Sequence, residues 1–258
     1  MLTFKNINTI TTILIIILII IDYYFNIPAV AYIALTLLWL IITTIGSFNI
    51  TWNYHLKAYN SNTNIKEKCI AITFDDGPNN KFTPQILELL KTYNAKATFF
   101  CTGKQIEQHA HIVKNIVCDG HTIGNHSYSH STYFDFYGKQ KVIAEIEKTN
   151  NLIENLIGKK MNLFRPPYGV TNPSISKAIK RTKHHVIGWN IRSLDTVKNN
   201  EQKILNRIIK KVSPGAVILL HDSKEITVSV LEQLLLFLQQ QGYQSITINT
   251  LFNIEAYA

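Results

Sequence analysis

Charge is what the first sixth of this 258-residue chain lacks. No Asp, Glu, Lys or Arg lies between Asn6 and Ile21, and after the single Asp22 none follows until Lys57. Such a stretch excludes an ordinary solvated surface. Cysteine is scarce as well: Cys69, Cys101 and Cys118 are odd in number and show no CxxC spacing, which excludes a disulfide framework or a paired-cysteine metal site. Each stands where a strand or helix pattern wants an apolar residue, so all three read as small core residues. Acidic residues are the minority, 17 against 26 Lys and Arg, for a net charge of +9. That balance suits an anionic lipid surface or an anionic cell-surface polymer. No basic cluster interleaved with aromatics and no recognition-helix pattern is present, so nucleic acid is not expected as a partner. There is no internal repeat, and no low-complexity tract beyond an isoleucine-rich run.

What fills the uncharged region is INTITTILIIILIII and then PAVAYIALTLLWLIITTI, the second running from Pro28 to Ile45. Each is long enough to cross, or nearly cross, a bilayer core. We read residues 1–56 as a membrane anchor with two spanning helices at about 7–21 and 28–45, residues 57–65 as a linker, and residues 66–258 as a catalytic domain. A cleaved signal peptide would use Lys5, the first run and the AVA at 29–31, but a second apolar stretch follows at once. A buried helical hairpin is the other alternative, and charge-free length on this scale is rare in soluble cores. Two spans put both termini on one side. Lys5, Lys57, Lys66 and Lys68 lean weakly toward the cytoplasm for that side.

From Cys69 onward strand and helix patterns alternate. Seven candidate strands are CIAITF (69–74), KATFFC (96–101), HTIG (121–124), NLFR (162–165), HHVIGW (184–189), AVILL (216–220) and QSITI (244–248). Between the first two, TPQILELLKTY places Ile86, Leu87, Leu89, Leu90 and Tyr93 on one helical face, with Thr83 as N-cap and Pro84 in the first turn. VIAEIEKTNNLIENLIG keeps a 3.6-residue period through Val142, Ile143, Ile146, Leu152, Ile153, Leu156 and Ile157 and stops at Gly158. Seven such units predict a parallel α/β fold: an incomplete or seven-stranded (β/α) barrel, with a doubly wound open sheet as runner-up.

Five chemically loaded segments follow those strands: Asp75 and Asp76, HSYSH (126–130), RPPYG (165–169), WNIRSLD (189–195), and His221 with Asp222. In a parallel α/β fold the carboxyl ends of the strands share one face, where sites form. His126 and His130 at i, i+4 would lie on one face of a helical turn, within reach of one metal ion. A carboxylate from the first strand end would complete a catalytic ligand set. Only one of the two adjacent aspartates is needed for that, which leaves the other for proton transfer. His221 could act as a general acid if Asp195 oriented it, and Arg165 needs a carboxylate such as Asp75 to offset its burial.

TFDDG, HSYSH, RPPYG, the RSLDT region and LLHD, in this order over about residues 66–250, resemble the five motifs of the polysaccharide deacetylase family, the NodB-homology domains of carbohydrate esterase family 4. The resemblance implies a distorted (β/α) barrel and a divalent metal held by Asp76, His126 and His130. Zinc is the usual ion, with Co2+, Mn2+, Ni2+ or Fe2+ as alternatives. It implies Asp75 as catalytic base paired with Arg165, and His221 as general acid paired with Asp195. The backbone amide of Tyr168 would help hold the oxyanion, Leu219 would line the acetyl pocket, and Pro167 and Trp189 would complete the substrate wall. The activity implied is hydrolysis of N-acetyl, or O-acetyl, groups on a cell-envelope glycan.

The fourth motif departs from the family's usual DxxDW. Arg192 replaces its first acid and Thr196 its tryptophan, while Asp195 is kept. The chemistry is therefore expected to survive and the substrate wall to differ. An inactive glycan-binding or membrane scaffold, a hydrolase of another amide, and a non-haem iron oxygenase, which also uses two histidines and a carboxylate, are the competing classes. Nothing in the sequence fixes the oligomeric state. Envelope glycans lie outside the membrane, so the catalytic domain is expected on the extracytoplasmic side despite the weak lysine bias.

Overall fold

Unbroken apolar length builds the first two elements. In the computed structural model, which describes residues 2–258, α1 (Phe4–Phe25) and α2 (Ala29–Phe48) form a hairpin; α1 extends past both ends of the expected span, and α2 runs three residues past its expected end. The single acidic residue inside it has a local task. One Asp22 carboxylate oxygen accepts from the backbone N–H of Ile27 and the other from the Tyr32 hydroxyl, which ties the turn between the helices. Leucine and isoleucine side chains on both helices lie exposed, and Tyr23, Tyr24 and Phe25 crowd the far tip.

The catalytic part is a curled, wholly parallel sheet wrapped by helices. Its strands are β1 (Ala58–Tyr59), β2 (Cys69–Asp75), β3 (Ala97–Cys101), β4 (Thr122–Asn125), β5 (Leu163–Phe164), β6 (His185–Ile187), β7 (Ile191–Arg192), β8 (Val217–His221) and β9 (Gln244–Ser245). They run in the order β1-β6-β5-β4-β3-β2-β8-β7, with β9 on β2. The seven expected strands are all present. Two more, β1 and β7, lie outside the apolar runs read as strands, β1 in the stretch read as a linker and β7 in the WNIRSLD segment. Among the described residues β1 and β7 do not pair, so the barrel stays open on that side, with an isolated bridge from Ser61 to Ala216 across the gap.

Alternation along β2 sorts the residues into two layers. Ile70, Ile72 and Phe74 pack against the outer helices, among them α3 (Phe82–Thr92) and α9 (Glu225–Gln240), while Ala71 belongs to an inner cluster with Phe100, Leu163, Ile187 and Val217. Period two then puts Thr73 and Asp75 on the inner side as well. The parallel register sets Asp75 directly beside His221. Each fully buried aliphatic side chain in these layers contributes about 1.5–3 kcal/mol, so the scaffold under the strand ends is stiff.

Two expectations need correcting. Thr83 lies inside α3 rather than capping it: the Asn79 carboxamide accepts from the N–H groups of Lys81 and Phe82, and the Thr83 hydroxyl turns inward to Asp222. Of the cysteines only Cys101 is buried; Cys69, the first residue of β2, is half-buried, and Cys118, at the end of a helix, is exposed. The helix α6 (Lys139–Ile157) stops at Gly158 as expected, and Thr149 and Asn150 are buried beside its apolar residues.

Candidate active site

At the carboxyl ends of the strands lies a hollow of about 210 Å³, lined by Asp75, Asp76, His126, His130, Tyr168, Trp189, Leu219 and His221 among others. Asp75 ends β2, and Asp76 adopts a positive φ of 77°. That left-handed turn is what lets two adjacent carboxylates face one hollow, where simple alternation would have sent them to opposite sides. Gly77 follows because a Cβ there would run into the Asp222 carboxylate.

Asp75 meets Arg165, whose side chain is completely buried. Its Nη1 donates to Asp75 Oδ1 at 2.7 Å and to Thr73 Oγ1 at 2.8 Å, Nε donates to the Ile187 carbonyl and Nη2 to the Gly188 carbonyl. The guanidinium also stacks 4.1 Å from the centroid of Phe100. Every face of the cation is thus met, which makes its burial tolerable.

The two histidines sit on a loop after β4, not on a helical turn. Ser127 and His130 have φ of 64° and 46°, and Glu145 on α6 holds the loop by accepting from the N–H groups of Tyr128 and Ser129 and from the Ser129 hydroxyl. His126 Nδ1 bonds the Arg165 carbonyl at 2.8 Å, which leaves Nε2 facing Asp76 Oδ1 at 3.5 Å and Asp75 Oδ2 at 3.7 Å. His130 Nε2 lies 3.3 Å from the same Asp76 oxygen. One donor atom from each of Asp76, His126 and His130 falls within 4.8 Å of the others.

Electrostatics ask for positive charge at that point. Burial works against a cationic His126, yet the nearby Asp75 and Asp76 outweigh it and raise its pKa, whereas burial and the His126 charge bring His130 down to about 4. A divalent cation would meet the same demand while leaving both histidines neutral. The donor set therefore fits a metal of the kind that takes nitrogen and oxygen ligands with positions left open.

On the other side, His221 Nδ1 lies 2.8 Å from Asp195 Oδ1. Asp195 is fully buried and saturated: it also accepts from Ser193 Oγ, Thr227 Oγ1 and the His221 backbone N–H, each at 2.8 Å. Burial pulls the imidazole down, but the Asp195 hydrogen bond and charge prevail and raise its pKa. Burial likewise opposes charge on Asp195, and the same bonds with His221 and Ser193 hold its pKa below the ordinary value.

Tyr168 carries a positive φ of 58° and its ring stands edge-on to His130 at 4.8 Å. Leu219 and Trp189 line the hollow, as do Arg192 and Thr196; Pro167 is buried and does not. Thr227 and Glu145 had no signal in the sequence beyond ordinary helix positions, and Thr73 and Ser193 stood in quoted motifs without an assigned task. Asp222 stood in a recognised motif without a task; it is fully buried, accepts from the Thr83 hydroxyl, and burial pushes its pKa up to about 7.

A sequence model of the family described as polysaccharide deacetylase matches residues 62–187. A peptidoglycan-N-acetylglucosamine deacetylase of Bacillus cereus is 35% identical over 190 residues, which cover 72% of this chain and 88% of that protein. The peptidoglycan-N-acetylmuramic acid deacetylase PdaA of Bacillus subtilis is 33% identical, covering 70% of each. Among solved structures, the Bc1960 peptidoglycan N-acetylglucosamine deacetylase superposes with a TM-score of 0.73 at 31% identity, over 78% of this chain and 94% of that one.

Proposed function

The chain belongs to the polysaccharide deacetylase family, and from that premise we propose that it removes N-acetyl groups from an amino sugar of peptidoglycan at a membrane surface. The observation that carries the reading is the division of labour around one hollow: a carboxylate held by a buried arginine, a nitrogen and oxygen donor set, and a histidine held by a buried aspartate.

Asp76, His126 and His130 would hold the divalent ion, zinc being the expected one. When bound, such an ion polarises an amide carbonyl and lowers the pKa of water, two things an unreactive N-acetyl group requires. Asp75 keeps Oδ1 on Arg165 and presents Oδ2 to the hollow, so it can take the proton that water gives up on attacking the carbonyl carbon. The backbone N–H of Tyr168 would donate to the oxygen that gains charge in the tetrahedral state. His221, fixed through Nδ1, has Nε2 free to protonate the sugar nitrogen as the carbon–nitrogen bond breaks. Acetate and a free amino sugar result. Leu219 and Trp189 would flank the acetyl group, with Pro167 supporting the wall.

The relatives are named for two sugars, N-acetylglucosamine and N-acetylmuramic acid. The second bears a lactyl carboxyl group, which is anionic wherever no peptide is amide-linked to it. Arg192 on the edge of the hollow favours that anionic sugar.

Residues 1–56 are taken as the anchor, 57–65 as the connection and 66–258 as the catalytic domain. Helices of 22 and 20 residues span roughly 30 Å at about 1.5 Å per residue. Their exposed aliphatic flanks, with aromatics at the far tip, support a bilayer hairpin, and a wall substrate places the hollow outside the cytoplasm. The test is acetate release by the purified full chain loaded with zinc, on muropeptides, chitin oligomers and other acetylated glycans. Metal bound with no acetate released from any of them would overturn the reading.

A further inference from the structure

A second hollow, of about 670 Å³, lies where the start of α1 meets the segment after α2 and the first turns of α7 (Pro173–Thr182). Lys5, Lys57, Lys177 and Lys180 line it, and no Asp or Glu does. Among the described residues none of these four lysines has a carboxylate within ion-pair distance; every such pair in the chain involves Asp75, Asp76 or Asp195. Lys57 Nζ also lies 5.6 Å from the centroid of the Tyr59 ring. Lysines from three separate segments border one opening with no carboxylate among them, and such an arrangement attracts an anion.

The position of the hollow says where such a charge comes from. Its floor is tied to the helix ends: the Phe4 N–H donates to the Tyr54 carbonyl at 2.8 Å, Ser47 Oγ and His55 Nε2 lie 2.9 Å apart, and the Ser176 hydroxyl donates to the His55 carbonyl at 2.9 Å. Phe4 packs on both Tyr54 and His55. If α1 and α2 cross the bilayer, these residues lie at the headgroup level, the depth where aromatic side chains and lysines meet lipid phosphate.

We propose that this hollow binds the phosphate of an anionic phospholipid head group, with Lys177 and Lys180 reaching it from α7, Lys5 from the start of α1 and Lys57 from the segment that leads into β1. The inference rests on reading α1 and α2 as membrane spans. Its effect is orientation. Pro173 begins five residues after Tyr168, so a lipid clamped against α7 fixes how the catalytic hollow faces the membrane plane.

The test uses the full chain in neutral detergent, mixed with equal amounts of phosphatidylglycerol and phosphatidylcholine, with retained lipids counted by native mass spectrometry. One phosphatidylglycerol per chain is expected in preference to phosphatidylcholine. The double variant Lys177→Gln/Lys180→Gln should bind it about thirtyfold more weakly, at roughly tenfold or less per lysine near a charged surface. Lys203→Gln/Lys210→Gln removes the same charge from a basic hollow on α8 (Glu201–Ile209) and its end, and should change nothing. Equal retention of the two lipids, or equal loss in both variants, overturns the proposal. Displacement by millimolar glycerol 3-phosphate would assign the hollow to a soluble phosphate and overturn the lipid assignment. Alkaline carbonate separates the two readings: release of the chain from membranes overturns the spans, whereas retention without a phosphatidylglycerol preference overturns only the lipid site.

Discussion

Asp75 and His221 are direct neighbours across two parallel strands, paired in register, and each is held from behind by an oppositely charged partner of its own. The sheet thereby sets the proposed base and the proposed acid side by side over one hollow. Arg165 holds the Asp75 carboxylate by a hydrogen bond to one oxygen, and Asp195 favours a protonated His221.

That pairing has a pH signature. His221 has its pKa raised above 6.5, so the proposed acid is protonated, and stabilising, below that value; its contribution is lost as pH rises through the folded pKa. Turnover should therefore fall on the alkaline side. Asp195→Asn should move that descending limb to lower pH, measured as kcat against pH; an unmoved limb would remove His221 from the acid role.

The two aspartates should separate by metal content. Asp76→Ala is expected to lose bound zinc in elemental analysis, whereas Asp75→Asn keeps it and loses about 10²- to 10⁴-fold in kcat, the range for a general base. Chelation should abolish acetate release reversibly while the circular dichroism spectrum stays unchanged, because the ligands lie at the strand ends and not in the apolar core.

Breaking the Arg165 pair should cost stability as well as activity. Arg165→Met leaves Asp75 facing a buried gap, and loss of one partner of a buried pair costs about 3–5 kcal/mol. Urea midpoints of the wild type and variant would measure it; a midpoint shift near zero would mean that water reaches Asp75.

Asp222 gives a stability prediction with the opposite sign from the usual carboxylate. Its pKa is pushed up to about 7 by burial, so ionising it opposes folding, and stability should decline as pH rises from about 4 to 7. Asp222→Asn should flatten that decline by a few kcal/mol in urea titrations at the two ends of the range.

Arg192→Ala should lower kcat/KM on muramic-acid substrates about tenfold or more and leave N-acetylglucosamine oligomers nearly unaffected. Equal losses on both would remove the guanidinium from sugar selection.

The sequence was most legible where period and motif coincide. Asp75, His221 and their strands could be placed because apolar runs end abruptly in charge, and the five motifs occur in an order that few other chains share. It was least legible where the backbone bends. Positive φ at Asp76, Ser127 and His130 leaves no periodic trace, so the two histidines were expected on a helical turn and lie on a loop. Glu145, which holds that loop, looked like any solvated residue of an amphipathic helix. The strands β1 and β7 are short and stand among polar neighbours, outside any run read as a strand, whereas the equally short β5 and β9 lie inside one.

The backbone N–H of Thr171 donates to the carbonyl of Ser47, in the last turn of α2, at 2.9 Å. Thr171 stands three residues from Tyr168, so the rim of the catalytic hollow is stitched to the helix end with no slack between them. In an anchored protein this sets reach: the enzyme could modify only strands of wall passing close to the lipid surface, and glycan laid down farther out would keep whatever acetylation it left with.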